Sequence, residues 1–297
     1  NNVAVGYAAG LSNTTGAQNT SVGMNALYAT TTGANNTGIG QGALQNNTAS
    51  DNTAVGKASL SVNTTGSLHV AVGHLSLAAN TTGAQNTALG HNALASNTTA
   101  SLNTAVGYTA LLGNTTGVNN TAVGAYALDS NTTANNNTAV GWSSLQANTT
   151  GSQNTAVGQG SLSTCTTGTY NIGIGLLAAS WQAGLITGSY NIHLGYATRT
   201  AATSTSNELV IATGNNGSTG KGNNTGWFDN LTSGIYQVNN SSSWATTSDE
   251  RLKKNIVDNN TGLSIINQLQ VKNFEHRIES EITELPPEQR IKGEGIQ

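Results

Sequence analysis

The word NTAVG returns along this chain with a nearly fixed step, and that step dictates the architecture. Its glycine falls at Gly6, Gly23, Gly40, Gly56, Gly73, Gly90, Gly107, Gly124, Gly141, Gly158 and Gly175, a spacing of 17 residues broken once by 16, and an irregular last copy ends at Gly195. One unit reads NTAVGxxALxxNTTGxx: a short extended run, a glycine corner, a small apolar pair and a polar corner. Each half is too short for a helix. The leucine four residues after the glycine is kept at Leu27, Leu44, Leu60, Leu77, Leu94, Leu111, Leu128, Leu145 and Leu162. Units of this kind bury apolar surface only by stacking on one another, so the expected fold is mainly β, a parallel β-solenoid of 17-residue coils. Coils stacked at about 4.8 Å make a rod on the order of 50 Å long.

Side chains alternate faces along a strand, so in NTAVG the Thr and Val share one face and the Asn and Ala the other. Apolar residues replace the Thr at Val3, Val70, Ile172 and Ile192, which places the Thr and Val columns inside the coil. The opposite column contains Ala54, Ala71, Ala88, Ala105, Ala122, Ala139 and Ala156, and admits nothing larger than Ser before His193. A solvent-facing column would tolerate long charged residues. This alanine column is therefore expected to meet another copy of the chain.

The NTT corners open at Asn13, Asn63, Asn80, Asn97, Asn114, Asn131 and Asn148, with Cys165 at the same place in the next unit. A ladder of stacked amides explains every copy at once. On that reading Asn114→Ala costs about one hydrogen bond, ~1 kcal/mol. The same triplets are formal glycosylation sequons.

Composition narrows the function classes. Charged residues make up 8% of the chain, against roughly 25% in an ordinary globular domain, which argues against a conventional enzyme. A net charge of −3 with ten basic residues gives no footprint for nucleic acid or an anionic membrane. One cysteine excludes an internal disulfide framework. The histidines at 69, 74, 91, 193 and 276 have no metal-site spacing, although His74 and His91 share a column, so neither metal nor cofactor is expected. A glycan-cleaving site would need paired carboxylates, and Asp51 and Asp129 lie more than four coils apart, so no turnover enzyme is expected.

The variable column after the glycine contains Tyr7, Met24, Lys57, Tyr108 and Trp142, with Tyr126 one place further on. Tyr7, Tyr108, Tyr126 and Trp142 are candidates for stacking on the sugars of a surface receptor. Sitting in separate coils, they are expected to form no continuous patch.

The repeats resemble the head repeats of trimeric autotransporter adhesins over residues 1 to 195. That resemblance implies a left-handed parallel β-roll assembled as a homotrimer around one axis.

A composition break then divides the chain. Of 23 charged residues, four lie between residues 1 and 200 and sixteen between Asp249 and Glu294. The expected organisation is a repeat shaft over 1–200, a β-rich transition over 201–247 with strand-like ELVIA and GIYQV runs, and a small α+β segment over 248–297.

The last segment, with Ser248, Asp249, Arg251, Lys253, Asn255 and Ile256 followed by LSIINQLQVKNFEHR, resembles the start of the intramolecular chaperone of phage endosialidases, tailspikes and fibres. The resemblance implies trimer assembly followed by one self-cleavage between Thr247 and Ser248. Ser248 would be the nucleophile and Lys253 its base, with Asp249, Arg251 and Asn255 in support. Read from the residues alone, the same stretch is a helix start capped by Ser248. The family domain is longer than the stretch after Ser248, and NNVAVGYAAG has no signal-peptide pattern, so the sequence is expected to be truncated at both ends.

Together these features point to the shaft of a homotrimeric viral tail fibre or spike, located on the virion and binding a host-surface glycan or protein without inserting into the membrane. A trimeric adhesin on the bacterial cell surface is the alternative. An ice-binding solenoid ranks behind both, because flat ice faces need threonines at alternate positions and NTT sets two side by side.

Overall fold

In the computed structural model the described residues are 1–180, 186–213, 218–229, 234–237 and 245–246. The chain divides into two compact units, Asn1–Ser248 and Asp249–Gln297, and the second lies outside the described residues. The first is a parallel β-solenoid. Three-residue strands run from β1 (Val3–Val5) and β2 (Thr20–Val22), one per coil, to β11 (Ile172–Ile174) and β12 (Ile192–Leu194). Each pairs in parallel with the strand one coil later, in strict register: Thr104 lies beside Thr121, Ala105 beside Ala122 and Val106 beside Val123.

The 17-residue step outlives the NTAVG word. Strand β13 (Glu208–Ala212) pairs in parallel with β12 and with β14 (Thr225–Asp229), so that Leu209 sits above Ile192 and Thr225 above Glu208. Two antiparallel strands, β15 (Gly234–Gln237) and β16 (Ala245–Thr246), then close the sheet.

Inside and outside are the reverse of the sequence expectation. Ala54, Ala71, Ala88, Ala105, Ala122, Ala139 and Ala156 are fully buried within their own chain and join the leucine column in one continuous core. No residue of the Thr and Val columns is buried. The coil is too narrow for anything else: a Cβ built on Gly38, which replaces an alanine, already meets Leu27 at 3.2 Å. Small side chains are required because leucines fill the space opposite, so the alanine column cannot be a surface that meets another chain. The β-branched Thr and Val suit the outer pleated face instead.

The corners depend on unusual backbone. Gly107 has φ +136°, and a Cβ there would sit 2.6 Å from the Gly124 carbonyl of the next coil. The same coil also holds Thr109, Leu111 and Asn119 in the left-handed region, at φ 50°, 56° and 58°. A left-handed conformation costs about 1–2 kcal/mol for a residue with a Cβ. Hydrogen bonds running coil to coil offset that strain almost all the way round: Leu111 N–H donates to Ala127 O (2.9 Å), Gly113 N–H to Asp129 O (2.8 Å), Thr115 N–H to Thr132 O (2.9 Å) and Thr121 N–H to Asn137 O (2.8 Å).

Two asparagine ladders occupy the rest of the interior. At the NTT corner, Nδ2 of Asn63, Asn80, Asn97, Asn114, Asn131 and Asn148 each donates to Oδ1 of the residue one coil earlier, beginning at Asn47, over 2.6–3.0 Å. The second ladder uses the Asn that opens NTAVG. Asn103 Oδ1 accepts the Asn120 N–H (2.9 Å) and Asn103 Nδ2 donates to Gly117 O (2.9 Å). His69 stands in for one of these residues, its Nε2 against Gly83 O (2.7 Å) and its Nδ1 accepting the Asn86 N–H (3.2 Å). Those two roles need the neutral ring protonated on Nε2, and burial lowers its pKa accordingly.

Candidate functional site

Aromatic rings stand on the corner just after the glycine, where a residue 17 positions on lies one coil away. Their side chains form one unbroken ladder. Ring centroids are separated by 5.2 Å from His74 to His91, 5.3 Å from His91 to Tyr108, 5.4 Å from Tyr108 to Tyr126 and 6.5 Å from Tyr126 to Trp142. His91 and Tyr108 are stacked within 10° of parallel, whereas Tyr126 meets both Tyr108 and Trp142 edge to face. Both geometries are favourable for aromatic pairs. Tyr108 and Trp142 remain 48% and 53% exposed. The expectation of isolated rings is thus corrected: Tyr108, Tyr126 and Trp142 are contiguous, and two histidines extend them. Tyr7 stays apart in the first coil, beside Tyr28 and Leu11 in a shallow hollow.

The outer sheet face is a second regular surface. It carries a Thr column beside a column that is aliphatic in every coil, including Ile39, Leu89, Val157 and Ile174, all well exposed. Among residues 1–200 the charges are Asp51, Lys57, Asp129 and Arg199, none of them in these two columns.

His193, Glu208 and Cys165 are titratable groups sealed in the interior of the first unit. His193 takes the alanine position in β12 and Glu208 takes the ladder position in β13, and both are buried. Their closest atoms, Nε2 and Oε2, are 3.9 Å apart. Glu208 ends the second ladder: its N–H donates to Asn191 Oδ1 (3.0 Å) and its Oε1 accepts the Gly222 N–H (2.7 Å). Burial pushes the Glu208 carboxyl up and the His193 ring down to about 4, so both tend to the neutral form. No substrate reaches this pair.

Cys165 is likewise buried in the NTT column, its thiol pushed up to about 11 by burial. It donates to Gly168 O (3.7 Å) and not to the asparagine below, so Asn148 Oδ1 is left without a partner. Among the described residues no group of three or more His, Cys, Asp or Glu is arranged to hold a metal, and no helix is long and apolar enough to cross a membrane.

The NTT asparagines from Asn63 to Asn148 are fully buried and so closed to modification in the folded coil, whereas Asn13 in the first coil is part-exposed. Ser248, Lys253, Asp249, Arg251 and Asn255 lie outside the described residues. The second ladder and the ring contacts were the features that sequence reasoning missed. Their signal was present, in the near-invariant Asn of NTAVG and in the column shared by His74 and His91. Comparisons with protein-family models, with curated proteins and with solved structures find no match to the chain.

Proposed function

We propose that this chain is a structural shaft of an extracellular homotrimeric fibre, a viral tail fibre or spike, whose outer Thr and Val face is the contact between copies. The observation that carries this reading is that face: uncharged, aliphatic in one whole column, and repeating with the same step as the coil. A strip about 50 Å long and two side chains wide that alternates with one fixed period is complementary to another copy of itself. Exposed apolar area of this extent ordinarily marks an interaction surface.

Leu89, 46% exposed in the single chain, supplies the test. Leu89→Arg should leave the coil folded, since the side chain points outward, and should break the trimer by setting unpaired charge into an apolar contact. Sedimentation of the parent and the variant checks both points. An unmutated protein that sediments as a monomer overturns the interface. The threonines on this face are two positions from the aliphatic residue and repeat from coil to coil, which favours the ice-binding reading more than the corner threonines did. A monomer that shapes growing ice crystals would transfer the face to ice.

The segment from Ser248 is proposed to be the assembly chaperone of this fibre, on the resemblance of its residues. On that reading the assembled protein is cut between Thr247 and Ser248, and Ser248→Ala and Lys253→Ala each leave an intact, uncut trimer. Loss of the serine removes the nucleophile, and loss of the lysine removes the base that activates it. A helix-capping serine predicts a loss of roughly 0.5–2 kcal/mol instead and no cut in any of the three. Denaturing gels separate these outcomes.

A further inference from the structure

We propose that the ring ladder from His74 to Trp142 is the docking strip for an extended linear polysaccharide lying along the coil axis. This inference rests on the receptor-binding fibre proposed above and names the class of its ligand.

Three features of the ladder point to a sugar chain. The first is pitch. Ring centres recur every 5.2–6.5 Å over five consecutive rings, a rise comparable to one pyranose unit of an extended glycan, so successive sugars meet successive rings without bending the chain. The second is chemistry. The ring edges carry imidazole nitrogens at His74 and His91, phenolic hydroxyls at Tyr108 and Tyr126 and an indole N–H at Trp142, donors and acceptors of the kind that sugar hydroxyls pair with. Trp142 is the last ring, since the next coil places Gln159 in that column, and its indole remains 53% exposed, open to the apolar face of a pyranose. Lys57 precedes His74 in the same column and gives the strip its one ammonium group.

The third feature is preorganisation. A flexible side chain loses rotamer freedom when it grips a ligand, at about 0.5–1.5 kcal/mol each. Here every ring is already held by its neighbours. The rings are nevertheless open to solvent at their outer flanks, as the half-exposure of Tyr108 and Trp142 requires. A globular protein partner would more readily be met by a broad patch than by a line one residue wide.

The test uses the whole chain in its native oligomeric state and three soluble probes: a linear β-glucan, polygalacturonate and the branched glucan dextran. Affinity electrophoresis through gels containing each polysaccharide reads binding as retardation. Expected is retardation by at least one linear probe and weaker or no retardation by dextran, with roughly tenfold weaker binding after Tyr108→Ala or Trp142→Ala. Tyr170 and Tyr190 provide the control, because they stack 4.8 Å apart on a different corner, and Tyr170→Ala should bind like the parent. Sedimentation and thermal melting of each variant accompany the gels. Failure of both linear probes to bind a correctly assembled protein overturns the glycan inference while leaving the shaft intact. Equal binding by the parent, Tyr108→Ala and Trp142→Ala overturns it as well, and a fall in melting temperature in those two variants with binding unchanged would make the ladder a stabilising stack only. Loss of binding only when the oligomer dissociates would place the site elsewhere and also overturn it.

Discussion

Ala105→Arg is expected to prevent folding of the coils around it. The alanine is fully buried in the column that faces the leucines, and the register with Ala88 and Ala122 leaves no room above or below. Arginine adds six heavy atoms to a space that already constrains a single methyl, and it carries a charge with no carboxylate within the alanine and leucine columns. An unpaired buried charge costs several kcal/mol even after relaxation, and overpacking adds about 1–3 kcal/mol more. Each coil is supported only by its two neighbours, so the defect removes support from both sides. Circular dichroism should show loss of β-structure. Trypsin gives a sharper readout, because residues 1–200 contain Lys57 and Arg199 as their basic residues and cutting at the new arginine requires the coil to open. A variant that folds and melts like the parent would mean that the alanine column is not the interior. Paired with Leu89→Arg, which should change assembly and spare the fold, the experiment separates inside from outside one strand at a time.

The second large effect is expected at Asn114. Its Nδ2 donates to Asn97 Oδ1 (3.0 Å) and to Gly117 O (2.9 Å), and its Oδ1 accepts from Asn131 Nδ2 (2.9 Å), all in the buried interior. Asn114→Ala removes three hydrogen bonds and leaves Asn97 Oδ1 without its donor. A buried polar atom left unpaired costs about 1–3 kcal/mol, so the loss is nearer 3 kcal/mol per chain than the single hydrogen bond read from the sequence. Guanidinium unfolding of parent and variant measures it. A change within about 0.5 kcal/mol would show that water replaces the amide, which a sealed ladder does not permit.

Much of this fold was legible because its signal is a length. A period of 17 is enough to place the coil, the strand positions and the leucine column, and the NTT ladder comes from seven equivalent asparagines. The sidedness of the strand was harder to read. Thr replaced by Val70 or Ile172 looks like a buried position, yet β-branched residues exchange just as freely on an exposed pleat. The size limit on the alanine column was correctly sensed and placed between chains, when the tight packing is within one. The ring ladder escaped because Tyr126 sits one residue out of register, and a one-place offset at a left-handed corner still brings its ring within reach of Tyr108 and Trp142. Beyond residue 195 the rhythm persisted after the words had gone: Glu208 and Thr225 follow Asn191 at the same step without sharing its chemistry.

The direction of the coil-to-coil hydrogen bonds bears on how a β-solenoid of this kind responds to tension. Because they lie along the axis, a pull from the two ends loads them one coil at a time, as a zipper, and not all together in shear. Each coil that lets go releases 17 residues, about 55 Å of slack at the length of an extended residue, in exchange for about 4.8 Å of rod. A stretched β-solenoid of this kind therefore yields in discrete steps that lengthen the chain more than tenfold locally while the coils beyond the break keep their structure, and the force it transmits is capped at the level that opens one coil.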